Sequence, residues 1–355
     1  MREYYIDNIR YFTIINVVFF HVIYMYNGQS IPGVIGAFHE NQFQDIFQYI
    51  VYPWIMIILF IISGISSKLY LQKYNNFLYD RTNKLLVPST IGLLVFGWSQ
   101  GYYNMLLSKA FLKLPQDLNI FVLFLITCLS GTGVLWFNQV LWINSVLLIL
   151  INKFEKYKFY IFLNTIKINS ISLLLLGFGL FLSAQILNTP IVVVYRFGAY
   201  GYSFFIGYFI FSHEKNIKYL ELNYIYLLII TFIFGFLFIH KYNGDNYASK
   251  EIFGSILSIG YAWVSCLTIL GIGKKFFNKE YQFTVIMRKK SYGIYIFHYL
   301  LLSSSAYYLH EYTKLYPVFH YIIVSLCSFI GSILLFNIMS KIPFIRWSVL
   351  GLINY

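Results

Sequence analysis

Charge is scarce in this sequence. Of its 355 residues only 11% are charged, and just 13 are acidic. A soluble domain carries about 25% charged and about 45–50% apolar residues. Here the apolar share is 59% and the mean hydropathy is +0.66, which excludes an ordinary soluble domain and points to an integral membrane protein. Cysteine is scarcer still: Cys128, Cys266 and Cys327, an odd number, each in an apolar run. None stands in a C-x-x-C or Cys/His ligand spacing, so neither a disulfide framework nor a metal site is expected. No linker or soluble segment breaks the apolar runs, so one membrane domain over residues 1–355 is expected. Nor is there a convincing internal repeat, which argues against a transporter built from two matching halves.

What abounds is apolar length, aromatic rings and positive charge. The 34 tyrosines fit interfacial belts. A net charge of +13 would suit a nucleic-acid partner in a soluble chain. In a membrane protein it reads as loop charge that sets orientation, and no nucleic-acid partner is expected.

A bilayer core about 30 Å thick needs about 20 mostly apolar residues per helix. Ten stretches are read as spans: 9–27, 46–68, 85–107, 134–152, 169–187, 197–212, 223–240, 252–272, 291–309 and 320–340. Residues 119–133 are apolar but short, hence re-entrant or interfacial. No small-residue cleavage site follows the first span, so it is read as a helix and not as a signal peptide. With ten spans both termini share a side, and 20 of the 26 Lys and Arg residues fall on it. The positive-inside rule makes that side cytoplasmic. The expected fold is therefore an all-α, polytopic transmembrane helix bundle with both termini in the cytoplasm.

The opening stretch "REYYIDNIRYFTIINVVFFHVIYMYN" holds the first sign of chemistry. An α-helix turns about 100° and rises about 1.5 Å per residue. The eleven residues from Arg10 to His21 therefore make about three turns plus 20°, which places both on one face roughly 16 Å apart. Arg10 lies at the cytoplasmic boundary and His21 near mid-membrane. Asp7, one turn before Arg10, can orient its guanidinium. A histidine at that depth is costly unless it faces the bundle interior or water. It is either a packed histidine bonded to a neighbouring helix or a functional one, and its alignment with the arginine favours function.

Arg10, ten residues, then His21 resembles the R-x10-H signature of the acyltransferase-3 family of membrane acyltransferases. Further matches follow in order. "LFIISG" (59–64) resembles F-x-x-S-G, "YDRTNKLLVP" (79–88) resembles R-x-x-R-L-x-P, "GVLWF" (133–137) resembles L-W-F-L, and "SYGIYIFH" (291–298) resembles S-Y-G-x-Y-x-x-H. The chain departs from these patterns at Lys84, which keeps the charge of the second arginine but not its bidentate fork, and at Asn138. The opening "REYYIDNIR" further resembles a subgroup typified by glucan-biosynthesis protein C, which modifies secreted glucans.

The resemblance implies a multi-pass plasma-membrane enzyme that moves an acyl group from cytoplasmic acyl-CoA to a hydroxyl of an extracytoplasmic glycan or lipid-linked saccharide. Acetyl and succinyl donors both remain open, and no tightly bound cofactor is implied. Arg10, Arg81 and Lys84 would hold CoA phosphates at the cytoplasmic mouth, where charge-assisted bonds are strong. Lys73 and the 288–290 basic cluster would assist, or simply serve orientation. His21 would act as general base or as transient acyl carrier, roles that suit a neutral imidazole. His298, seven residues past Ser291 on an outward-running helix, could line the same pore, or be satisfied by hydroxyls such as that of Tyr295.

Other features read as structural. "GWSQG" (97–101) fits G-x-S-x-G, yet a nucleophile elbow needs a strand-to-helix turn. The same letters spell the helix-packing motif G-x-x-x-G. His39, His213, His240, His310 and His320 read as solvated or interfacial, Arg196 as an orientation charge in preference to a partner for an acidic glycan or a succinyl carboxylate, and 241–251 as a short outer turn. Three rivals stand beside the leading reading. One is a small-molecule or glycan transporter. Another is an enzyme of the MBOAT class, which would leave R-x10-H unexplained. The third is a non-catalytic partner in polysaccharide export.

Overall fold

The computed structural model describes residues 3–28, 34–115, 117–189 and 194–353; Arg2, one of the basic set, lies outside them. Among the described residues the secondary structure is helical apart from one isolated bridge between Asn188 and Arg196. The fold is all-α and polytopic. In lipid every backbone group must find its partner within the protein, which a helix achieves on its own. Each of the ten predicted stretches coincides with a helix. Among the described residues six helices have the length and apolarity to cross a membrane: Tyr4–Met25, Phe43–Leu71, Gly133–Asn152, Tyr224–Tyr242, Ile256–Phe276 and Pro317–Met339. Ile120–Ser130, Ser170–Ser183 and Phe197–Phe211 are apolar but shorter.

Two helices start well ahead of their predicted spans, at Phe77 and Gln282. Residues 77–107 are helical throughout, with wide π turns at Thr82–Leu86 and Leu93–Gly97. The helix Gln282–Tyr312 begins ahead of its basic cluster. Lys84 and Arg288 suggested boundaries, yet lysine and arginine are good helix formers.

The chain folds into two compact units. The first comprises Met1–Thr13, Tyr49–Leu78 and Ile143–Arg288, the second Ile14–Gln48, Tyr79–Trp142 and Lys289–Tyr355. Several long helices, the opening one included, contribute to both.

In the first unit the Ile46–Leu71 and Phe197–Phe211 helices cross at glycines. A Cβ on Gly64 would lie 2.0 Å from the Phe204 carbonyl oxygen, and one on Gly207 would lie 2.1 Å from that of Ile61. Small residues allow this close approach, the usual basis of helix association in membranes. The start of the opening helix docks on the end of Ile256–Phe276. Lys274 Nζ lies 2.8 Å from Glu3 Oε2, and Asn8 Nδ2 donates to the carbonyls of Phe277 and Lys279.

The second unit uses the same device. A Cβ on Gly101 would sit 1.7 Å from the Thr127 carbonyl oxygen, and one on Gly131 would sit 1.9 Å from that of Gly97. "GWSQG" thus packs the 98–107 turns against Ile120–Ser130. Ser99 Oγ donates to the Phe96 carbonyl at 2.7 Å, inside continuous helix and not on an elbow. Residues 119–133 prove to be that packed helix and the turn after it.

Candidate active site

The opening helix is unbroken from Tyr4 to Met25, so Arg10 and His21 keep the spacing that aligns them on one face. In the first unit the Arg10 fork is gripped twice. Its Nη1 donates to Asp7 Oδ1 at 3.1 Å and its Nη2 to Ser66 Oγ at 2.8 Å. Ser66 donates in turn to the Ile62 carbonyl at 2.7 Å. A planar guanidinium fixed at both tips points its remaining face in one direction. Sequence reading missed Ser66, although it lies only two residues past Ser63-Gly64. Lys73 is exposed in the turn after the Ile46–Leu71 helix.

The second unit brings His21 and His298 into contact. His298 Nε2 lies 3.2 Å from His21 Nδ1, and the ring centroids are 5.3 Å apart. His298 is fully buried. Its Nδ1 lies 3.0 Å from the Ile294 carbonyl oxygen and 2.9 Å from that of Tyr295. A carbonyl only accepts, so Nδ1 of His298 carries the proton and its Nε2 is an acceptor. His21 then donates Nδ1–H across the pair. Nε2 of His21 is left with an open lone pair, the form a general base needs. The edge of Tyr299 meets the His21 ring at 5.1 Å between centroids. Ser328 Oγ donates to the His298 carbonyl at 3.1 Å.

Two other matched stretches are tied to the helix that carries His298. The Tyr295 hydroxyl, one of those that could have satisfied His298, donates instead to the Val134 carbonyl. Tyr292 donates to the Lys84 carbonyl, and the Lys84 ammonium lies 5.8 Å from the Tyr292 ring centre. The Thr82–Leu86 π turn carries Lys84, and such turns recur at functional sites. Asn138 is buried beside the Tyr292 hydroxyl. Trp142 Nε1 donates to Thr82 Oγ1 at 3.0 Å, and Arg81 is half-buried on the same stretch. "SYGIYIFH" is therefore tied by backbone carbonyls to both "YDRTNKLLVP" and "GVLWF".

The family model of the acyltransferase-3 proteins, an acyltransferase domain, matches residues 3–337, nearly the whole chain. The chain belongs to the acyltransferase-3 family. No curated protein and no solved structure matches it. As an acyltransferase-3 protein it is a multi-pass membrane enzyme that transfers acyl groups other than aminoacyl groups, and it works in a bilayer on an acceptor substrate.

Within this acyltransferase several structural readings need correction. Arg196, read as an orientation charge at a helix end, is in fact buried and bonded: it is 3% exposed. Its Nη1 donates to Tyr52 Oη at 2.9 Å, its Nη2 donates to the Ala248 carbonyl at 2.7 Å, and its guanidinium lies 3.6 Å from the Phe253 ring centre. It staples down the 241–251 loop, where Tyr49 Oη also donates to the Asp245 carbonyl at 2.7 Å. His320 is not solvated: it is 3% exposed in an aromatic box with Tyr26, Phe38 and Tyr321. His213 is half-buried with its Nε2 enclosed, and burial, then Lys68, lower its pKa. In the 288–290 cluster Arg288 pairs with Glu280 at 3.1 Å and Lys290 donates to Asn337; the Lys289 side chain lies outside what is described. His39, His240 and His310 are exposed.

Proposed function

We propose that this acyltransferase moves an acetyl or succinyl group from acyl-CoA at the cytoplasmic face of the plasma membrane to a hydroxyl of an extracytoplasmic glycan. The "REYYIDNIR" opening supports its place in the glucan-modifying subgroup. The observation that carries the reading is the histidine pair, which leaves Nε2 of His21 as an open acceptor. That nitrogen takes the proton of the acceptor hydroxyl. The oxygen attacks the thioester carbonyl, the C–S bond breaks, and CoA leaves as a thiol with the proton. His298 holds the His21 tautomer. On the donor side Arg10, its fork steadied by Asp7, binds phosphate through charge-assisted bonds, with Arg81, Lys84 and Lys73 contributing charge. The roughly 16 Å from Arg10 to His21 along their helix is comparable to an extended pantetheine arm.

The test is O-acylation of surface glycans by mass spectrometry in cells with wild-type chain, His21→Gln, or no chain. Glutamine keeps a hydrogen bond but cannot serve as a base near neutral pH. Full acylation by His21→Gln would refute the assignment.

A further inference from the structure

Within the first unit a groove and a pocket share a wall. The groove, about 480 Å³, runs between residues 151–166 and the Ser170–Ser183 and Phe197–Phe211 helices. Phe154, Tyr160, Leu163, Tyr202, Phe205 and Phe209 line it. Two of its three tyrosine hydroxyls are used elsewhere: Tyr160 Oη donates to Asn152 Oδ1 at 3.0 Å and Tyr202 Oη to the Leu176 carbonyl at 3.0 Å. The Tyr160 and Tyr202 rings therefore present carbon to the groove. Neighbouring Phe159, Phe162, Leu174 and Phe178 are exposed, as residues facing lipid hydrocarbon would be.

The pocket, about 810 Å³, is lined by Lys167, Lys215, Lys218 and His213, with Asn164 and Glu214, and Ile166 belongs to both cavities. The partition is built, not incidental. Asn216 is 2% exposed; its Nδ2 donates to the Ile166 and Ile210 carbonyls at 3.0 and 2.8 Å, and its Oδ1 accepts from Ile168 N at 3.1 Å. The charge is net positive. Glu214 lies 3.6 Å from Lys274, and Lys218 pairs with Glu221 at 3.2 Å. Among the described residues Lys167 and Lys215 form no ion pair. Lys68 adds positive charge behind Asn164, to which it donates at 3.0 Å.

We propose that groove and pocket together bind one anionic phospholipid of the surrounding bilayer, an acyl chain in the groove and the phosphate head among Lys167, Lys215 and Lys218. An apolar trough that abuts a basic pocket matches a molecule with a hydrocarbon tail beside a phosphate. A free anion would fill only the pocket, and a zwitterionic lipid would leave the lysines uncompensated. Lysines near a membrane surface favour anionic lipid by about fivefold each.

The experiment is native mass spectrometry of the whole chain in nonionic detergent, titrated with dioleoyl phosphatidylglycerol, dioleoyl phosphatidylcholine or glycerol phosphate. One phosphatidylglycerol should be retained in preference to phosphatidylcholine. Lys167→Gln with Lys215→Gln should lower that preference on the order of 10-fold or more, at about fivefold per lysine. The exposed Lys113→Gln should change nothing. Leu163→Asp, which charges the groove, should weaken both lipids; if it does not fold, the lysine variants still decide. Equal binding of the two lipids by the native chain, or an intact preference in the double variant, overturns the proposal. So does competition by glycerol phosphate at the same concentration as the diacyl lipid, which would mean an anion pocket only.

Discussion

Replacing His298 by leucine tests the tautomer assignment directly. The buried volume is nearly kept, and the Ile294 and Tyr295 carbonyls remain within their own helix, so the fold should survive. What disappears is the acceptor 3.2 Å from His21 Nδ1. A neutral hydrogen bond is worth about 0.5–1.5 kcal/mol net, which is about 2- to 13-fold in the population of the useful tautomer. Acylation by His298→Leu should therefore fall by roughly that factor, well short of the 10²–10⁴-fold typical for loss of a general base. His298→Gln can turn its carbonyl toward Nδ1–H and should recover most of the activity. The assay is glycan O-acylation by mass spectrometry, normalised to chain in the membrane. A loss in His298→Leu as deep as that of His21→Gln would refute the reasoning, because His298 would then take part in the chemistry itself. No loss at all would refute it from the other side.

His21→Gln should lose about 10²–10⁴-fold of acylation while membrane insertion and acyl-CoA binding persist. Neutralising Arg81 and Lys84 together should weaken acyl-CoA binding, and Lys84→Arg should be tolerated; unchanged affinity in the neutral pair would remove both from the donor site. Gly101→Ala, whose Cβ would lie 1.7 Å from the Thr127 carbonyl, should destabilise by about 1–3 kcal/mol through overpacking, read as a lower melting temperature in detergent. Reporter fusions after Asn27, Lys84, Asn152 and Gly244 should read outside, inside, inside and outside; reversal at two sites would overturn the cytoplasmic-donor scheme.

The helical stretches were legible because apolar runs of span length have few alternatives in lipid. Their ends were not, where charge stood in for a boundary: the helix around Lys84 begins at Phe77, and the one around Arg288 at Gln282. His298 was read as able to line one pore with His21; that the two rings touch depends on how their helices pack, which no spacing within one segment gives. The alignment of Arg10 with His21 follows from helical period alone. Ser66, Tyr299 and the carbonyls under His298 are neighbours from other helices or from the backbone, and no spacing rule within one segment announces them. Arg196 and His320 were misread for a related reason. Position near a helix end does not say whether aromatic rings close over a polar group.

Among the described residues the partners of His298 and His21 are carbonyls, one another and an aromatic ring, none of them a carboxylate. A serine-protease-type relay parks a proton on histidine because an aspartate waits behind it. On the proposed reading, a proton lifted from the acceptor hydroxyl finds no carboxylate to hold it and passes within the same encounter to the departing thiolate. Donor and acceptor would then have to be present together. Initial-rate plots should intersect, as in a sequential mechanism, and parallel lines would mean that the acyl group waits on the protein between two half-reactions.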